Sequence, residues 1–158
     1  MKQIRVGIGE YGISRDEKSV IMTYSLGSCV AVVVYDKMQR TAGMMHIALP
    51  DSSINTGKAK QLPGYFVDTG LPLLLKEMNW ISGAKHLWIK LVGGASIMDD
   101  NHHFEIGKRN LLAIKKYLWH NRLGISGEEV GGSISRTVCV SVDSGEVLIS
   151  SKGKKWTL

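Results

Sequence analysis

Residues 30–34 read Val-Ala-Val-Val-Val, with Cys29 before them and Tyr35 after. The seven-residue run is rich in β-branched side chains and too short to stand as a helix, so it reads as a strand. It does not alternate. A nearly continuous apolar strand needs apolar cover on both faces, and a chain that contains one builds layers around a sheet.

The rest of the chain supplies those layers. Strand patterns recur at 3–8, 20–24, 41–49, 86–92, 125–130, 137–142 and 146–150, the last two joined by the Asp143-Ser144-Gly145 turn. A helix is predicted over 65–79, with Val67, Leu71, Leu74, Leu75 and Met78 on one face. Pro72 falls inside it, removes a backbone donor, and is expected to kink or restart it. A second helix is predicted over 107–121. Its Leu111, Ile114 and Leu118 form an apolar face, and Gly124 suits a stop. Residues 51–64 read as a polar loop, either mobile or a rim facing a substrate. Strands in hairpin-like runs with two main helices between them give an α+β fold, a single layered domain over 1–158 with mixed or antiparallel sheets.

A chain of 158 residues closes a hydrophobic core without help from disulfides or metal. The net charge of +6 favours acidic partners, whether nucleic acid or an acidic protein surface. The basic residues are not interleaved with aromatic stacking residues, which argues against nucleic acid. No apolar stretch has the length of a membrane span, and Cys29 and Cys139 are expected to stay reduced, so the expected location is cytoplasmic. Adjacent His102 and His103 lack the spacing of a helical metal site, and two scattered cysteines make no zinc set. Neither phosphate-loop spacing is present around Gly9 and Gly12 or around Gly93 and Gly94. No metal or cofactor is expected.

Cys29 follows the small-residue approach Leu26-Gly27-Ser28. Two readings compete. A lone cysteine on an apolar strand is commonly a small core hydrophobe. A thiol after a glycine turn is also a nucleophile with backbone N–H groups of Gly27 and Ser28 beside it, placed to hold an oxyanion. Cys139, mid-strand in Thr137-Val138-Cys139-Val140, fits the core reading. His46, in Gly43-Met44-Met45-His46-Ile47, is either a satisfied core histidine or a base for Cys29, provided adjacent hairpin strands place both on one face. A base needs a third group to orient its ring, and the Thr23 hydroxyl can do this.

Five blocks of the sequence match one family in order. They are TYSLGSCVAV at 23–32, GMMHIALP at 43–50, LVGGAS at 91–96, IGKRN at 106–110 and VGGSISR at 130–136. Over nearly its whole length the chain resembles CheD, the chemoreceptor glutamine deamidases of chemotaxis. The resemblance implies a cysteine hydrolase with a triad falling on Cys29, His46 and Thr23, and a layered fold like that of deamidating bacterial toxins. It implies conversion of receptor glutamines to glutamate through a thioester, with glutamyl methyl ester hydrolysis open to the same site. Methyl-accepting receptors are the implied substrate, and the phosphatase CheC an implied partner. Gly93, Gly94 and Ala95 are expected to border the site with Gly27 and Ser28. Arg109 reads equally as a border residue or a surface charge. Two departures stand out: Ser135 precedes Arg136 where the family often has glycine, and Pro72 interrupts a usually smooth helix. A different reading, a stoichiometric regulator that binds receptor or CheC with little turnover, remains beside the enzyme.

Overall fold

The computed structural model describes residues 1–80, 86–97 and 105–158. Two five-stranded sheets stack face to face, and helices cover the outer face of one of them. The first sheet runs β1 (Lys2–Arg5), β3 (Ser19–Leu26), β8 (Arg136–Ser141), β9 (Val147–Ser151), β10 (Lys154–Thr157). The second runs β2 (Tyr11–Ser14), β5 (Thr41–Ile47), β4 (Val30–Asp36), β6 (Leu87–Gly93), β7 (Gly127–Val130). β1–β3 and β6–β7 are parallel and the other pairs antiparallel. The fold is α+β with mixed sheets, as the strand and helix patterns predicted.

β4 explains its own composition. It is the central strand of the second sheet, and all seven residues are buried. Ala31, Val33 and Tyr35 face the first sheet, packing with Met44, Ile21, Val138, Val140 and Ile149. Val30, Val32 and Val34 face the helices with Met45, Ile47 and Leu91. There they meet Leu71 and Leu74 of α2 (Val67–Glu77) and Ile114 and Leu118 of α3 (Ile106–His120). Each such side chain contributes about 1.5–3 kcal/mol by leaving water, which the strand collects on both faces.

Two local expectations are corrected, and two strands appear that were not expected. Residues 51–64 are not a plain loop, because α1 (Thr56–Gln61) lies within them, flanked by single turns at Ser52–Ile54 and Pro63–Tyr65. Asn55 caps α1 by accepting from Lys58 N at 3.1 Å, and Asp51 accepts from Ser53 N at 2.8 Å. Short polar helices held by caps leave no hydrophobic period to read. Pro72 does not restart the helix, since α2 runs unbroken through it. Pro72 is exposed, as is Asp68, whose carbonyl loses its helical partner. β2 and β10 carry no clear alternation, yet both pair: β2 with β5, and β10 with β9, where Trp156 lies opposite Ile149 and packs on the inter-sheet core. His102 and His103 lie outside the described residues.

Candidate active site

The hairpin of β4 and β5 sets the geometry. Ala31 pairs with His46 and Val30 with Ile47. Side chains directly opposite share a face, so His46 points where Ala31 points, toward the first sheet. Cys29, two residues before Ala31, packs against the same inter-sheet core. Cys29 and His46 are thus diagonal neighbours on one face, with backbones about 7 Å apart by strand geometry. Cys29 is partly exposed, and His46 is 3% exposed.

Thr23 reaches the pair from the other sheet. Its Oγ1 lies 2.7 Å from His46 Nδ1 and donates to the Val6 carbonyl at 2.6 Å. A carbonyl only accepts, so the hydroxyl proton belongs to the Val6 bond, and Nδ1–H must donate to Thr23. That assignment puts the lone pair on Nε2. Among the described residues Nε2 has no hydrogen-bond partner, the Cys29 thiol included, so the resting pair is poised and not yet engaged. The Gly9–Glu10 segment fixes the His46 backbone: His46 N donates to Glu10 O at 3.1 Å, and its carbonyl accepts from Gly9 N at 2.8 Å. Thr23 sits at the edge of an irregularity in the β3–β8 pairing, between Thr23 and Leu26, where Ser25 has a φ of 55°. Such a bulge re-aims side chains at a strand end.

Burial sets the protonation state. Desolvation lowers the His46 pKa to about 4, so the ring is neutral at pH 7. Burial raises the Cys29 thiol above its ordinary value. The resting couple is therefore a neutral thiol beside a neutral imidazole, not a preformed ion pair.

The segment before Cys29 is held through three successive carbonyls. Gly27 O accepts from Ala95 N at 2.8 Å and Cys29 O from Gly94 N at 2.9 Å. Ser28 O accepts from the Asn110 side chain at 3.1 Å. Gly93, with a φ of 117°, lies so near the Cys29 carbonyl that a Cβ there would overlap it. Gly93, Gly94 and Ala95 thus touch the cysteine segment as backbone, with the Gly94 and Ala95 N–H groups already engaged. Arg136, 4% exposed, braces them from behind: its Nη1 donates to Gly93 O at 3.4 Å and its Nε to Glu129 Oε2 at 2.8 Å. Arg109 is exposed on α3.

Sequence reasoning passed over three of these groups. The Val6 carbonyl carries no residue-type signal. Arg136 and Asn110 lie in blocks noted for resemblance, but a role for either requires knowing what their loops approach.

A family model described as CheD chemotactic sensory transduction matches residues 48–151. A protein of Syntrophotalea carbinolica named probable chemoreceptor glutamine deamidase CheD is 48% identical, covering 100% of both chains. Its namesake CheD 1 in Syntrophus aciditrophicus is 40% identical over 97% of this chain and 96% of its own. One in Thermococcus kodakarensis is 35% identical over 92% and 90%. A solved structure, Neisseria meningitidis protein NMB0706, is 14% identical with a TM-score of 0.35 over 78% of this chain and 52% of that one, too low a likeness to build on. Matched by that family model over residues 48–151 and by a relative 48% identical over its full length, the chain belongs to the CheD family.

Proposed function

We propose that the protein is a chemoreceptor glutamine deamidase in which Cys29 is the nucleophile, His46 the base and Thr23 the group that orients it. The observation that carries this is the Val6–Thr23–His46 chain, which leaves the Nε2 lone pair on the face shared with Cys29. Relatives over the whole length bear the matching name.

The steps balance as acyl transfer. As the Cys29 sulfur attacks the carboxamide carbon of a receptor glutamine, its proton passes to His46 Nε2. The developing oxyanion needs N–H donors. In a trans peptide the N–H points opposite the carbonyl of the same unit. With Gly27 O held by Ala95 N and Ser28 O by Asn110, the Ser28 and Cys29 N–H groups each point away from the partner of their own peptide carbonyl, and in this reading they are the oxyanion donors. His46 then protonates the departing ammonia, leaving a thioester. Water attacks it, giving one proton to His46, and as the acyl–sulfur bond breaks His46 returns that proton to the sulfur, releasing glutamate and restoring the thiol. A glutamyl methyl ester would follow the same course with methanol leaving.

In this reading the protein works in the cytoplasm, where receptor adaptation helices lie and where CheC would be its second partner. Among the described residues no helix is long and apolar enough to cross a membrane. The test is mass spectrometry of a receptor cytoplasmic fragment incubated with the protein. Each converted glutamine gains about one dalton, since an amide becomes an acid. Binding without any mass gain would replace the enzyme by the stoichiometric regulator.

Thr23→Val keeps the shape and removes the acceptor of Nδ1–H. It is expected to lower kcat about 10–100-fold by releasing the ring tautomer, and to destabilise the fold by about 1–3 kcal/mol through a buried unpaired donor. Steady-state kinetics and urea melts on the pure variant check both, and wild-type kcat would remove Thr23 from the site.

A further inference from the structure

α3 turns Gly107, Asn110, Ile114 and Leu118 into the interior. On the helical period Asn110 occupies a place that Leu would fill, and it is fully buried. Burying a carboxamide is unfavourable unless its polar atoms are matched. Here the match is one-sided. The Asn110 Nδ2 group donates to Ser28 O at 3.1 Å and to Ala48 O at 3.0 Å, whereas Oδ1 has no partner among the described residues. The amide cannot be turned over, since the oxygen would then face two carbonyl oxygens.

The two acceptors are informative. Ser28 immediately precedes Cys29, and Ala48 follows His46 by two residues. The β4–β5 ladder ends at Val30 opposite Ile47, so these carbonyls lie just past its last rung. Ala48 N has turned away, donating to Tyr65 O at 2.9 Å. Two N–H bonds from one planar nitrogen hold their acceptors about 5 Å apart, close to the spacing of paired strands. The carboxamide therefore continues the ladder by one step, from outside the sheet, at the point where the strands would begin to part.

We infer that Asn110 is a positioning residue for the deamidase site: its carboxamide NH2 staples the cysteine segment to the end of the histidine strand and sets the direction of the Cys29 N–H. The inference rests on the function proposed above for Cys29 and His46. Through the Ser28–Cys29 peptide, Asn110 governs both the oxyanion donor and the approach of the sulfur to Nε2. The unmatched Oδ1 fits this role, because the side chain is retained for its pair of donors at the expense of its acceptor. Neither donor can reach substrate, so binding should be spared.

The test compares wild type with Asn110→Leu, which keeps the branched outline of the side chain and removes both donors, all in a Cys139→Ser background so that Cys29 is the remaining thiol. Conversion of a receptor fragment gives kcat and KM. Iodoacetamide alkylation of Cys29 across pH reads the thiol–imidazole couple without substrate. The expected result is a folded variant with kcat lowered about 100-fold, KM within about threefold, and Cys29 alkylation slowed about tenfold near pH 7. A folded variant with kcat within about threefold of wild type overturns the inference, as does a kcat loss that matches its unfolded fraction. Should the leucine variant fail to fold, Asn110→Ala, measured well below its own melting midpoint, is held to the same thresholds. A wild type that converts no glutamine refutes the deamidase reading itself. The staple is then judged on alkylation alone, where equal rates in wild type and variant overturn it.

Discussion

Cys29→Ala is expected to keep its fold and lose glutamine conversion by about 10⁴-fold or more, the scale on which acyl-transfer enzymes fail without their nucleophile. The thiol lies at the open end of β4, partly exposed, and its loss removes a single sulfur from the edge of the inter-sheet core. That should change stability by about 1 kcal/mol. The control is Cys139→Ala. Cys139 sits mid-strand on β8, opposite Met22 and Leu148, in the first sheet. It is expected to leave kcat unchanged. Conversion rates read by mass, with a thermal melt of each variant, decide the matter. Activity in Cys29→Ala within tenfold of wild type would falsify the nucleophile assignment.

His46→Gln is expected to lower kcat by about 10²–10⁴-fold, because glutamine can occupy the site yet cannot carry a proton at neutral pH. It should also alter stability in a way that a spectator residue would not. Folding lowers the His46 pKa from 6.5 to about 4 by burial. Between those values the unfolded chain binds more protons than the folded one, so stability falls as pH drops through that window and levels off below it. The full effect is about 3 kcal/mol, from a shift of roughly two and a half units. Carboxylates held low in the fold, such as Asp16 and Asp51, add their own acid dependence, but they are common to both proteins. The difference between the wild-type and variant urea curves at pH 7, 5.5 and 4 isolates His46. Parallel curves would mean the ring is not buried neutral. The same ordering shapes activity: with His46 titrating near 4 and the thiol above its usual range, kcat/KM should be flat from weakly acidic to beyond pH 8.

The value of the neutral couple lies in when charge appears. A thiol beside a neutral, desolvated imidazole does not react with every passing electrophile. In the proposed mechanism, charge separates only as a carbonyl carbon arrives and the oxyanion meets the Ser28 and Cys29 N–H groups. Only Nε2 can take part, because Nδ1 is tied through Thr23 to the Val6 carbonyl. A hydrogen bond across the two sheets thus joins the packing of the domain to the choice of tautomer.

Much of this was written along the chain. The strand at 30–34 declared its burial on two faces through apolar residues without alternation, because the hydrophobic effect leaves a local imprint wherever side chains meet a core. Cys29 and His46 could be placed on neighbouring strands from the turn between them, since a hairpin is a local structure. The short capped helix at Thr56–Gln61 and the edge strands β2 and β10 were not legible. Caps and edge pairing are satisfied by backbone groups that every residue possesses, so they leave little mark on residue type.

What the tertiary structure alone decided was direction. Thr23 was a nearby hydroxyl until the stacking of two sheets put it 2.7 Å from Nδ1 and gave its proton to Val6. Asn110 was a polar residue in an apolar helix face until α3 brought it against two carbonyls some 60 to 80 residues away in sequence. Residue identity determines which groups are available for chemistry. Which lone pair stays free, and which N–H faces the substrate, depends on hydrogen bonds between segments distant in sequence, and those exist only once the layers have closed.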